Sequence, residues 1–291
     1  MKPPPEIGVE GAITLLFPEG RPETGVCNLA KVPEAIRCFI GLRYGDDKKG
    51  LATALAFYDE LGSVPGLEHA YVMEGGFRGT IHLVPERPIG QYQKHFDWVL
   101  EAQRDIKTVF DALESKKTRP LGYRYRPIGW KFMRSPGRTT PSAYADAWQV
   151  GYNVSGSLNT SMRAIRDTMV HEIFHLNDEE HHNWSRRTLG MLFDGIVSKC
   201  GTKIPCLTPY APMKTTVRGG TYYSFQPDNG DSVHEYTAEL ASRYFLETRT
   251  LLRGEKLSEP AFKCGPSENR ESWKAIVDEF FGGVDLVPDC P

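Results

Sequence analysis

The stretch 155–184, SGSLNTSMRAIRDTMVHEIFHLNDEEHHNW, carries His171-Glu172-Ile173-Phe174-His175 at its centre. Histidines four positions apart lie one above the other on a helix, so both imidazoles reach a single cation from one side. Glu172 points about 100° round the helix from its neighbours, where it can meet a water held by that cation. The HExxH spacing therefore suits one Zn²⁺: the metal lowers the pKa of the water, and the carboxylate takes its proton during attack on a carbonyl. Met162, Ile165, Met169, Ile173 and Leu176 recur at steps of three and four, the mark of a buried helical stripe. His171, His175 and Asp178 form a second stripe on roughly the opposite side. Asn159 or Thr160 is the expected N-cap.

Working outward, Tyr92, Phe96, Val99, Ile106, Phe110 and Leu113 predict a helix of about twenty-five residues. Gly122 to Arg134 reads as a strand. Ala143 to Val154 reads as one alternating strand, with Tyr144, Trp148, Val150, Tyr152 and Val154 on one face and Asp146 interrupting it. Residues 1–87 hold no chemical motif and read as an α+β segment of unknown role. Ala12 to Phe17 is expected to be a strand, Leu51 to Leu61 a helix stopped by Gly62, and Gly79 to Pro85 another strand.

Catalytic zinc usually takes three protein ligands and leaves a fourth position open. Two residues compete to be the third. His181 stands at the spacing of the metzincin signature HExxHxxGxxH, with Met213 as a possible methionine turn. Asp178 replaces the glycine at which metzincins break the helix, and an unbroken helix leaves His181 about 80° off the ligand face. Glu235 is the other candidate, on a predicted helix whose Val233, Tyr236, Leu240 and Tyr244 form a stripe. Ser232 and Glu235 also have capping-box spacing, so Glu235 has a local structural reading as well.

The pattern Glu235-x-x-Ala238-Glu239, following HExxHxxD from His171 to Asp178, resembles the catalytic domain of anthrax lethal factor and related gluzincin metallopeptidases. The resemblance covers roughly residues 160–247. It implies a zincin-like α+β fold, a mixed sheet with a backing helix, the HExxH helix and a mainly helical C-terminal subdomain. It further implies His171, His175 and Glu235 as ligands of one Zn²⁺, Glu172 as general base, and Asp178 and Glu239 as supporting residues. The order long helix, strands, alternating strand, HExxH helix resembles the amino-terminal half of a zincin catalytic domain, in which the alternating strand is an open edge that takes substrate by strand addition. In lethal-factor-like enzymes a tyrosine a few residues before the ligand Glu serves as oxyanion donor; Asp228 stands there instead. Tyr223 is the nearest substitute, then Tyr222, with His234 a further candidate. His181 and His182 are then solvated residues beyond the helix.

The net charge of −2 gives no basic footprint for nucleic acid, and no apolar run has the length of a membrane span. Cys27, Cys38, Cys200, Cys206, Cys264 and Cys290 fall as sequence neighbours. Sequential pairing is one of fifteen connectivities open to six cysteines. Disulfides imply an extracytoplasmic protein whose signal peptide has been removed. Asn153, Asn159 and Asn183 head sequons. The predicted protein is a secreted zinc endopeptidase with a catalytic domain over 88–291, its upper part 88–184 and its C-terminal subdomain 185–291. The rival readings are a metzincin-like peptidase using His181 and a zinc-containing binding or toxin-like protein without turnover.

Overall fold

The computed structural model describes residues 6–74, 79–216, 220–227 and 232–290. Among these the chain is mixed α+β. In order come α1 (Val9–Leu16), α2 (Val32–Tyr44), α3 (Lys48–Leu61), β1 (Val64–Leu67), β2 (Tyr71–Glu74), β3 (Thr80–Pro85) and α4 (Gln93–Glu114). Then follow β4 (Gly129–Arg134), β5 (Ala143–Asp146), β6 (Gln149–Asn153), α5 (Met162–Glu180), α6 (Trp184–Cys200), α7 (Ile204–Leu207), α8 (Ser232–Leu252) and α9 (Ser267–Phe280). Two compact units are formed, Met1–Asp105 with Tyr125–Glu172, and Ile106–Arg124 with Ile173–Pro291, the division falling within α4 and α5.

The first unit holds the mixed sheet, in the order β2-β3-β4-β6-β5, with β1 also paired to β4. β4 runs parallel to β1 and β6 and antiparallel to β3. Its core is a chain of rings: Phe57 stacks on Phe96 at 5.2 Å, Phe96 meets Phe132 at 5.4 Å, and Phe132 meets Tyr152 at 5.6 Å. α3 ends as its sequence predicts, at Gly62 with φ 67°, a left-handed position that glycine adopts without strain.

Three expectations need correction. Ala12 to Phe17 is not a strand; Ala12 to Leu16 lie on α1, which buries Ala12, Ile13, Leu15 and Leu16, and Phe17 caps its C-terminus. So short an apolar run does not separate helix from strand by periodicity, and packing decided it. Gly66 admits the helix: a Cβ there would come within 2.3 Å of the Leu15 carbonyl oxygen. The strand expected from Gly122 begins only at Gly129, since Gly122 and Tyr123 donate their N–H groups to the Phe280 carbonyl instead. Ala143 to Val154 is not one strand but the hairpin of β5 and β6, turning at Ala147 (φ 48°) and Trp148 (φ 61°). Positive φ at both central residues defines the type I′ turn, which matches the twist of its strands. Neither residue is the Asn or Gly that usually announces it. β5 is the sheet edge, and its Tyr144 ring lies over Gly151 of β6, where a Cβ would come within 2.1 Å.

The second unit is helical among its described residues. Phe174 meets Phe280 at 5.1 Å, Tyr123 stacks on Phe281 at 5.5 Å, and Tyr244 also stacks on Phe281. All six cysteines are paired, Cys27–Cys38, Cys200–Cys206 and Cys264–Cys290. Of the sequon asparagines, Asn153 and Asn159 are buried and hydrogen-bonded. No helix of the described residues is long and apolar enough to cross a membrane.

Candidate metal centre

α5 is built to hold one face fixed and leave another open. Its N-cap is neither Asn159 nor Thr160 but Ser161, whose Oγ accepts from the Ala164 N–H at 3.2 Å. Asn159 turns inward and donates to the carbonyls of Ser142 and Asn153. Ile165, Met169, Ile173 and Leu176 are buried, as their spacing predicts. Further along, the Asn177 side chain donates to the carbonyls of Ile173 and Arg124 and accepts from the Arg124 N–H, locking the last turns. On the remaining face His171, Glu172 and His175 stay half-buried.

α8 supplies the partner. Val233, Tyr236, Leu240 and Tyr244 are fully buried along one stripe, which leaves Glu235 half-buried in the first turn. Ligand atoms of His171, His175 and Glu235 all lie within 4.8 Å of one another. His175 Nε2 stands 3.6 Å from Glu235 Oε2. Two donors on one tetrahedral zinc, at bonds of about 2.0–2.2 Å, sit roughly 3.4 Å apart, so this pair fits a shared ion. These three residues can hold a metal ion. Two imidazoles and a carboxylate leave a fourth coordination position for water or substrate, the donor count of catalytic sites.

The supporting carboxylates differ from each other. Asp178, 1% exposed, accepts from the Ser185 N–H at 2.7 Å, from Ser185 Oγ at 2.6 Å and from His234 Nδ1. Burial alone would raise its pKa; the bonds from His234 and Ser185 outweigh it and hold the carboxyl below its ordinary value. Asp178 is thus buried and tied to the start of α6 and to the first turn of α8. Glu239, 4% exposed, is pushed up to about 8 by burial. The Glu235 charge adds to that shift, and neighbouring Ser224, Thr215 and the Met213 backbone oppose it. Its Oε2 has no hydrogen-bond partner among the described residues.

The remaining sequence candidates separate cleanly. α5 runs unbroken through Asp178, and the left-handed residues that end it are His182 (φ 59°) and Asn183 (φ 54°), too late for a metzincin break. His181 lies outside the triad, with Nδ1 2.7 Å from Glu279 Oε1 and its ring against Phe280. Ser232 directs its hydroxyl to the Gln226 carbonyl. Tyr223 is half-buried at the head of a 3₁₀ turn, Tyr223–Phe225, that packs on α8, and the buried Tyr222 bonds Thr208 at 3.0 Å. Asp228 lies outside the described residues. Ser185 had no sequence signal beyond its sequon, and His234 only its adjacency to Glu235. The chain has no match among protein-family models, curated proteins or solved structures.

Proposed function

We propose that the protein is a secreted zinc metallopeptidase of the gluzincin type, with a zincin-like catalytic domain over residues 88–291. The observation that carries the reading is the convergence of His171, His175 and Glu235 with Glu172 on the same helix as both histidines. A site that only braces a fold usually closes with a fourth protein ligand and needs no base. When bound, zinc supplies a Lewis acid that polarises the scissile carbonyl and acidifies water. Glu172 accepts a proton from the attacking water at its carboxylate and delivers it to the departing amine nitrogen. Tyr223 is assigned as the donor to the carbonyl oxygen as negative charge develops there. Asp178 and Glu239 support the ligands from behind. Three disulfides accord with an extracellular setting.

The test is hydrolysis of an unfolded protein substrate, followed by mass spectrometry of the fragments, for wild type and Glu172→Gln. Wild type should cleave internal peptide bonds; Glu172→Gln should lose about 10²–10⁴-fold in rate while keeping its metal. Equal rates for the two proteins would remove Glu172 from the chemistry. A metal-loaded wild type that cleaves nothing would leave a metal-binding protein without turnover.

A further inference from the structure

We propose that Asp178, Ser185 and His234 form a clamp that positions the ligands His175 and Glu235, with Ser185 and His234 acting as positioning residues. The inference rests on the metal-centre reading above. Asp178 follows His175 by three positions on α5, and His234 immediately precedes Glu235 on α8. Each member of the clamp on those helices is thus within one turn of a ligand. Ser185, fully buried at the start of α6, stands between them. Its Oγ is 2.6 Å from Asp178 Oδ2 and 2.9 Å from His234 Nδ1, while its N–H holds Asp178 Oδ1 at 2.7 Å.

The proton inventory fixes the direction of every bond. An ionised carboxylate only accepts, and the one hydroxyl proton of Ser185 goes to Asp178. His234 Nδ1 must therefore carry its own proton and donate it. That sets the ring orientation and ties α8 to α5 and α6 through a partly buried, charge-assisted junction. Metal sites tolerate ligand misplacement of only about 0.5 Å. Packing of the Val233–Tyr244 stripe sets the depth of α8, but apolar contacts are not directional and leave its rotation and slide less constrained. The clamp supplies directional bonds beside Glu235, where rotation would move the carboxylate away from His175 Nε2.

The experiment is Zn²⁺ affinity by chelator competition and the absorption spectrum of the Co²⁺-loaded protein. The proteins are wild type, His234→Leu, His234→Asn and Ser185→Ala, each checked for folding by circular dichroism. None of these changes removes a metal ligand. His234→Leu should weaken Zn²⁺ binding roughly 10–100-fold, as loss of a ligand-orienting partner does, and should alter the Co²⁺ bands. His234→Asn, whose amide can donate from about the position of Nδ1, should restore most of the affinity. Ser185→Ala probes the same junction from α6 and should weaken binding even if the leucine variant fails to fold. Wild-type affinity and an unchanged spectrum in folded His234→Leu and Ser185→Ala would overturn the clamp and leave the metal centre intact. Failure of wild type to bind either ion would overturn the metal reading and the clamp with it.

Discussion

At His175 and Glu235, donors from distant parts of the sequence stand 3.6 Å apart on two helices. With His171 they form a cluster whose ligand atoms could hold one metal ion. A different residue-scale effect operates at His95, buried in the first unit with Nδ1 2.9 Å from the Tyr152 hydroxyl. Burial, with the charge of Lys94 adding, holds its pKa at about 4 against an ordinary 6.5. The folded chain therefore binds fewer protons than the unfolded one between those values. Stability is fully present above the ordinary value and is lost as pH falls through the folded one. The loss should reach roughly 3 kcal/mol. Urea unfolding of wild type and His95→Gln at several pH values between 4 and 7 reads it as a difference in slope. Parallel curves for the two proteins would show that His95 is not buried in its neutral form.

Among the elements, the hairpin of β5 and β6 offers the sharpest test. Ala147 holds a left-handed conformation (φ 48°) that costs an L-residue with a Cβ about 1–2 kcal/mol. Ala147→Asn, at an exposed position, should raise stability by about 0.5–1 kcal/mol through better turn chemistry, read as a higher urea midpoint. A lowered midpoint would count against the type I′ turn. The same hairpin shows where sequence reading stops. Without Asn or Gly at the turn, the alternation from Ala143 to Val154 reads as one strand. α1 escaped for a related reason, its apolar run being too short to display a period. α5 and the stripe of α8 were legible because helical periodicity and the HExxH spacing are local properties of the chain. The tie from Asp178 to Ser185 and His234 was not, because it depends on how α6 and α8 pack against α5. The real N-cap, Ser161, lay one residue beyond the expected pair, and Asn159 was claimed by tertiary hydrogen bonds.

Over the whole molecule, three disulfides close short segments, and the widest, Cys264–Cys290, spans 26 residues around α9. Removing it as Cys264→Ala with Cys290→Ala should cost about 2–4 kcal/mol through the freed unfolded chain. Guanidinium titration of the double variant measures this, and unchanged stability would mean that Lys263, bound to Asp285 and to the Val287 carbonyl, anchors the C-terminal segment alone. The joining of α5 and α8 into one metal centre is tested most directly by metal content. Wild type, Glu235→Ala and His181→Ala should be purified side by side, equilibrated with Zn²⁺, desalted and analysed for bound metal. Wild type and His181→Ala should each carry about one equivalent, and Glu235→Ala should lose it, as expected for a direct ligand. Loss in His181→Ala with retention in Glu235→Ala, or no zinc in wild type, would contradict the account.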